Sequence, residues 1–344
     1  MDVVRRDRDR SGTVRRHIGI SIAAAVGLSI CIPPAPASAA IGAIHWTKVS
    51  PATSPPARFG GVEAYDAARQ VVVLFGGAGV TGQLLNDTWV WDGSNWQQRH
   101  PATSPPARIY HYMAYDSTHR YVLLFGGTTT TAASFGGTGT TATYFSDTWT
   151  WDGTTWAEQH PTTSPAQRAS YGGISDDPLN GGVLLYGGYD TELSHFYYDT
   201  WIWDGSNWDQ VSSAEQLELY LASLVFSPAL GEVVALVQGT SSTWVFDGTK
   251  WIYYFPKTSP PGRYEYAMSA AGKGAVMFGG GSGTTFFSDT WYLTGRNWGQ
   301  ISGPGPAPRG YVSMALDAPH MEVVLFGGLH GSYSLYRDTW VLGP

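Results

Sequence analysis

Cysteine is almost missing from this chain: Cys31 is the only one in 344 residues. A fold with one thiol has no internal disulfide and no thiolate cage for zinc or an iron–sulfur cluster. Charge is also sparse, and no segment concentrates Lys and Arg on a stripe, which argues against a nucleic-acid partner. Only one long apolar run exists, residues 18–32. It falls short of the roughly 20 residues that cross a bilayer as a helix. Beyond that run nothing carries the three-to-four-residue periodicity of an amphipathic helix. What the sequence has in quantity is glycine, 43 residues, and tryptophan, 15. That pairing fits many tight turns joined to aromatic packing.

The N-terminal segment stands apart. Arg5, Arg6, Arg8, Arg10, Arg15 and Arg16 precede the apolar run, and Ala37-Ser38-Ala39 follows it with small residues at the spacing of a cleavage site. A positive region, an apolar core and a small-residue exit describe a secretory signal peptide. Residues 1–39 are therefore expected to be removed, leaving residues 40–344 as one domain, secreted or extracytoplasmic, with no membrane span. Cys31 leaves with the leader. So do six Arg and three Asp, which leaves 14 basic and 24 acidic residues, a net charge near −10.

Self-comparison organises the rest. The string Asp87-Thr88-Trp89-Val90-Trp91-Asp92-Gly93-Ser94-Asn95-Trp96 returns at residues 147–156 and 199–208, and in weaker form at 242–251 and 289–298. Its first half closes the chain at residues 338–341. An apolar run ending in a glycine pair precedes most copies, and residues 51–58 and 101–108 share the string PATSPPAR. The unit-opening tryptophans fall at Trp46, Trp96, Trp156, Trp208, Trp251 and Trp298, a spacing proper to propeller blades. Each unit reads as four strands, in the first at about residues 59–65, 71–75, 88–91 and 95–98. Asp92-Gly93 is expected to form a tight hairpin turn. The run Val71–Phe75 is apolar throughout, as in a strand covered on both faces.

Six units supply their first three strands in order, but one fourth strand, residues 43–49 with Trp46, stands alone before them. It is expected to complete the last blade, closing the ring by a 3+1 arrangement that leaves no open edge. The expected architecture is an all-β, six-bladed propeller. The fifteen tryptophans all occupy repeat positions, so their first role is packing between blades.

These glycine pairs, aromatic third strands and Trp-led fourth strands resemble the kelch family of β-propellers over residues 43–344. The resemblance implies the fold. The family includes protein-binding scaffolds, copper oxidases of the galactose oxidase type and sialate mutarotases, so it implies no single activity. The oxidase type uses a Cys-crosslinked Tyr, which the mature chain cannot supply. No residue of the mutarotase type carries over.

Arg58, Arg108, Arg168, Arg263 and Arg309 recur at the start of the first strand, and Asp87, Asp147, Asp199, Asp289 and Asp338 at the start of the third. In unit four both positions change together, to Tyr220 and Ser242, and Gln238 replaces the first glycine of the pair. Joint loss is expected of partners in a buried ion pair. An arginine ring that binds an anion is the alternative.

In such a meander the connections from fourth to first strand and from second to third emerge on one face. These vary in length, from residues 239–242 to residues 127–147, and variable loops on a rigid scaffold favour binding. The loops on that face carry Phe135, Tyr144, Phe145, Phe286, Phe287, His330, Tyr333 and Tyr336. Beside blade four, a tall loop with Asp190, Glu192, His195 and Tyr197 meets a low wall with Tyr220 and Gln238, and a notch between them is the expected ligand site. No catalytic constellation, metal-ligand spacing or cofactor motif is legible, so no metal and no cofactor are expected. Two functions remain: a monomeric recognition module for a protein or glycan on the long-loop face, and a carbohydrate-modifying enzyme, an isomerase or lyase acting on an anionic sugar. A compact pocket with converging Arg, His and carboxylate groups would favour the second.

Overall fold

The computed structural model describes residues 44–130, 142–190, 195–211, 222–331 and 334–344. Val71–Phe75 and its counterparts Tyr121–Phe125, Gly182–Asp190, Glu232–Val237, Gly274–Phe278 and Glu322–Phe326 form the second strand of each blade. Their apolar side chains are almost wholly enclosed, because each faces a neighbouring blade on both sides. In blades one to five each second strand pairs with the strands before and after it in sequence, and a fourth strand completes an antiparallel sheet. In blade one these strands are Val62–Asp66, Val71–Phe75, Thr88–Trp91 and Trp96–Arg99.

The sixth sheet shows the closure. Its outer strand is His45–Val49, which pairs antiparallel with Thr339–Gly343 and sets Trp46 opposite Leu342. The six first strands touch one another in turn around a central channel. Six apolar clusters fill the seams between adjacent blades, including the last seam, where Val72, Leu74 and Trp91 meet Val324, Phe326 and Val341.

One hydrogen bond repeats at every seam. The Nε1 of Trp46, Trp96, Trp156, Trp208, Trp251 and Trp298 donates to the hydroxyl of Thr290, Thr339, Thr88, Thr148, Thr200 and Thr243, at 2.8–3.1 Å. Each acceptor belongs to the preceding blade. The packing role expected of these tryptophans therefore includes a polar pin that fixes their depth.

Two local expectations change. The first strand of blade one begins at Val62, not near residue 59, since Gly60 takes a left-handed conformation (φ 64) and Phe59 bridges only to Ala78. The Asp-Gly turns are four-residue loops with only the glycine at positive φ. Asp92 instead accepts bonds at Oδ1 from the backbone of Ser94 and Asn95. The glycine pairs answer to crowding: a Cβ on Gly76 would lie 2.8 Å from the carbonyl oxygen of Arg108 in the next blade.

Candidate functional site

Five arginines lie just ahead of the first strands, and none is more than 2% exposed. Arg58 donates from Nη1 and Nη2 to the two carboxylate oxygens of Asp87, at 2.6 and 2.7 Å. It also donates from Nη1 to the carbonyl of Gly76 and from Nε to that of Pro56. Arg108–Asp147, Arg168–Asp199, Arg263–Asp289 and Arg309–Asp338 repeat this pairing. A tryptophan two residues on, such as Trp89, gives each Asp another donor. Burial pushes the Asp87 carboxyl upward, but bonds from Arg58, the Arg58 charge and Trp89 outweigh it and hold the group below its ordinary value. With four of its five N–H donors bonded and the group buried, the guanidinium is a fixed strut closed to solvent.

Two residues beyond each arginine the same backbone does something different. Gly60, Tyr110, Ser170, Glu265 and Tyr311 all adopt positive φ, between 51 and 64. Non-glycine residues rarely do so, and each costs of order 1–3 kcal/mol unless its surroundings hold it. Here a belt of hydrogen bonds holds them. The amide of Tyr110 donates to the carbonyl of Gly60, Ser170 to Tyr110, Tyr311 to Glu265 and Gly60 to Tyr311. In unit four Gln238 stands where other units have glycine, and its Oε1 accepts from the amide of Glu265 at 3.0 Å. The departure read from sequence thus supplies the acceptor for the Glu265 amide at one end of the belt.

The belt rims a recess of about 160 Å³ at the channel mouth, lined by Tyr110, His111, Tyr171, Gln238, Glu265 and Tyr311 among others. The rings of Tyr110 and Tyr311 lie 5.7 Å apart, and the Tyr311 hydroxyl donates to Glu265 Oε1. Burial raises the Glu265 carboxyl above its ordinary value despite that bond. Burial also raises Tyr171, with the charge of Glu265 adding to it. Among the described residues lining the recess there is no Lys or Arg.

Below the mouth the channel continues past Glu63, which burial lifts to about 8 against one hydrogen bond from Ser313 at 3.0 Å. His111 is buried and pushed well down, first by burial and then by the charge of Arg108. Farther on, Met113, Met268 and Met314 make the walls apolar. Among the described residues no group of three or more His, Asp, Glu or Cys is placed to hold a metal ion, and no helix is long and apolar enough to cross a membrane.

Of the residues expected to form the notch, Asp190 pairs with His195 and the His195 ring meets Tyr197 at 4.7 Å, while Gln238 lines the recess. Glu192 and Tyr220 lie outside the described residues, as do Phe135, Tyr333 and the leader. Asp190 is buried and accepts from Gln167 Nε2 at 2.9 Å. His195 is exposed, in a two-residue strand paired to Tyr189 and Asp190. The Tyr197 ring covers the Arg168 guanidinium at 4.1 Å, as Phe145, Phe287 and Tyr336 cover Arg108, Arg263 and Arg309. Each of these aromatics stands two residues before its Asp, a regularity that marks them as lids on the ion pairs. Of the four that are described, Gln238 alone lines the recess. Sequence reasoning missed Tyr110, His111, Tyr171, Glu265 and Tyr311. For Tyr110, Glu265 and Tyr311 the available signal was the position two residues past each arginine, where the residue type changes from unit to unit; His111 and Tyr171 stand one residue farther on.

No protein-family model matches the chain, and no curated protein matches it. Among solved structures it is similar to that of YjhT, with a TM-score of 0.63 and 14% identity, over 84% of this chain and 95% of the other. At that identity the likeness speaks to fold alone. Its six blade sheets, joined in a ring by the N-terminal strand, make this chain a six-bladed β-propeller that resembles the kelch propellers in fold.

Proposed function

We propose that the recess at the channel mouth binds a small polar molecule of carbohydrate type, and that the mature domain does so outside the cell as a monomer. The observation that carries this reading is the belt itself. It spends backbone strain to aim Tyr110, Glu265 and Tyr311 into one concave site, and strain of that kind gathers at functional positions. Tyrosine faces suit the apolar face of a sugar ring, while Glu265, Gln238 and the phenols suit its hydroxyls. The absence of Lys and Arg from the described lining turns the reading away from an anionic sugar. Glu265 also sits where a carboxyl with a raised pKa could exchange protons with a bound sugar, so turnover belongs in the test. The concavity favours a small molecule over a protein partner. The extracellular setting rests on the Arg-rich start, the apolar run and Ala37-Ser38-Ala39.

The test is a glycan-binding and turnover screen on mature protein, repeated with Glu265→Gln and Tyr311→Phe. The expected result is a saccharide bound by the wild type and at least about tenfold more weakly by Glu265→Gln. Saccharide binding untouched by both substitutions would place the site elsewhere. Sequencing the N-terminus of exported protein checks cleavage after Ala39.

A further inference from the structure

The mouth recess does not end at the belt. It shares Gly61, Val62, His111, Tyr112 and Tyr266 with a second space of about 220 Å³, the neck of the channel, which Glu63, Ser223 and Ser313 also line. Two side chains there are polar, enclosed and underused. His111 is 3% exposed, and neither ring nitrogen has a hydrogen-bond partner among the described residues. Glu63 is 5% exposed; Oε1 accepts from Ser313, while Oε2 has no partner among them. A buried donor or acceptor without a partner costs about 1–3 kcal/mol. A neck lined by Val, Met and Leu at these positions would avoid that cost, so the two side chains call for a polar occupant.

The charge of the surroundings restricts what that occupant is. Burial keeps Glu63 protonated near neutral pH, and it keeps His111 uncharged. The carboxyl then presents an O–H donor, and the imidazole one donor and one acceptor. No Lys or Arg lies among the described residues of the neck to meet an anion. A carboxylate entering it would lose its hydration with no cation in return, and an ammonium would meet no formal negative charge. A hydroxyl, which both donates and accepts, matches the set.

Resting on the mouth-site reading, we propose that the neck is a second subsite, in which Glu63 and His111 hold the uncharged hydroxymethyl end of a neutral sugar whose ring lies among Tyr110, Tyr171 and Tyr311. The ligand then enters end-on along the channel axis. Both groups are binding residues in this proposal, with no part in bond making.

Calorimetric titration of the mature protein tests it with matched pairs that differ only in the hydroxymethyl group: glucose with xylose, galactose with arabinose, mannose with lyxose. Glucuronate and glucosamine serve as charged probes. The wild type is expected to bind at least one hexose tenfold or more tighter than its pentose partner and tighter than either charged probe. Glu63→Met and His111→Phe, or His111→Gln where the Phe variant does not fold, should reduce the hexose preference to within about twofold by weakening the hexose far more than the pentose. Glu265→Gln should weaken both members of the pair. A wild type that binds each hexose and pentose alike, or neck variants that keep the full preference, overturns the neck subsite while the mouth site stands. Binding of no sugar in the panel overturns both.

Discussion

Arg108 and Tyr110 are two residues apart and belong to different kinds of structure. The first repeats in five blades with the same partners and is closed to solvent. The second is one of five positions in a shared left-handed conformation, filled by four residue types, and its ring faces a recess. A position whose demand is set by its own blade must be met alike in each blade, so it repeats. A position whose backbone is fixed but whose side chain looks into the channel is free to differ. Uniform conformation with varied chemistry is how a symmetric scaffold builds an asymmetric site.

If that division holds, damage to the frame should act on stability and damage to the channel on binding. The largest effect is expected from a chain that starts at Ser50. It loses the outer strand of blade six, the Trp46–Thr290 bond and the packing of Trp46 against Phe278. It should give no cooperatively folded ring. An unchanged melting transition would show that closure does not depend on this strand.

Next comes Arg108→Met, which strands Asp147 and two carbonyl groups. Breaking such a pair typically costs about 3–5 kcal/mol, whereas replacing both partners by apolar residues can be nearly neutral. Denaturant titrations of Arg108→Met, Asp147→Leu and the double variant should therefore be strongly non-additive, with the double variant recovering much of the loss. Additive losses would remove Arg108 from the frame.

In the channel the sign should reverse. The Glu63 carboxyl has a folded value of about 8 against an ordinary 4.5, so folding takes up a proton. The wild type should be most stable below the unfolded value and lose stability as pH rises through both values. Glu63→Gln lacks this loss. Its advantage should grow from near zero in acid to a few kcal/mol above pH 8, because each pH step of one between the two values is worth about 1.4 kcal/mol. Melting temperatures of both proteins across this range check it, and a constant difference would mean that the carboxyl titrates normally.

The smallest effect belongs to Gln238→Gly, which restores the repeat pattern but removes the bond to the Glu265 amide. About 1 kcal/mol of stability should be lost. If restoring glycine instead stabilises the protein, blade four is a decayed blade and the belt has no need of Gln238.

Much of the frame was legible in the sequence. Trp46 without its blade announced the closure, and the joint loss of Arg and Asp at Tyr220 and Ser242 announced the ion pairs. The site was not. Attention to the longest loops led to His195, which is exposed, and to Tyr197, which covers Arg168. Loop length records where chain is tolerated. It does not record where side chains converge.

The sequence by itself determined the number of blades, the closing strand and the Arg–Asp pairs within blades, because each is a local or nearest-neighbour demand stated again in blade after blade. Only the tertiary structure decided that Tyr110, Tyr171, Glu265 and Tyr311 share one recess, or that Glu63 keeps its proton. Those facts depend on closing the ring. Closure brings the first strands of blades one and six together across some 250 residues, as in the Glu63–Ser313 bond, and walls Glu63 off from the water that would otherwise ionise it.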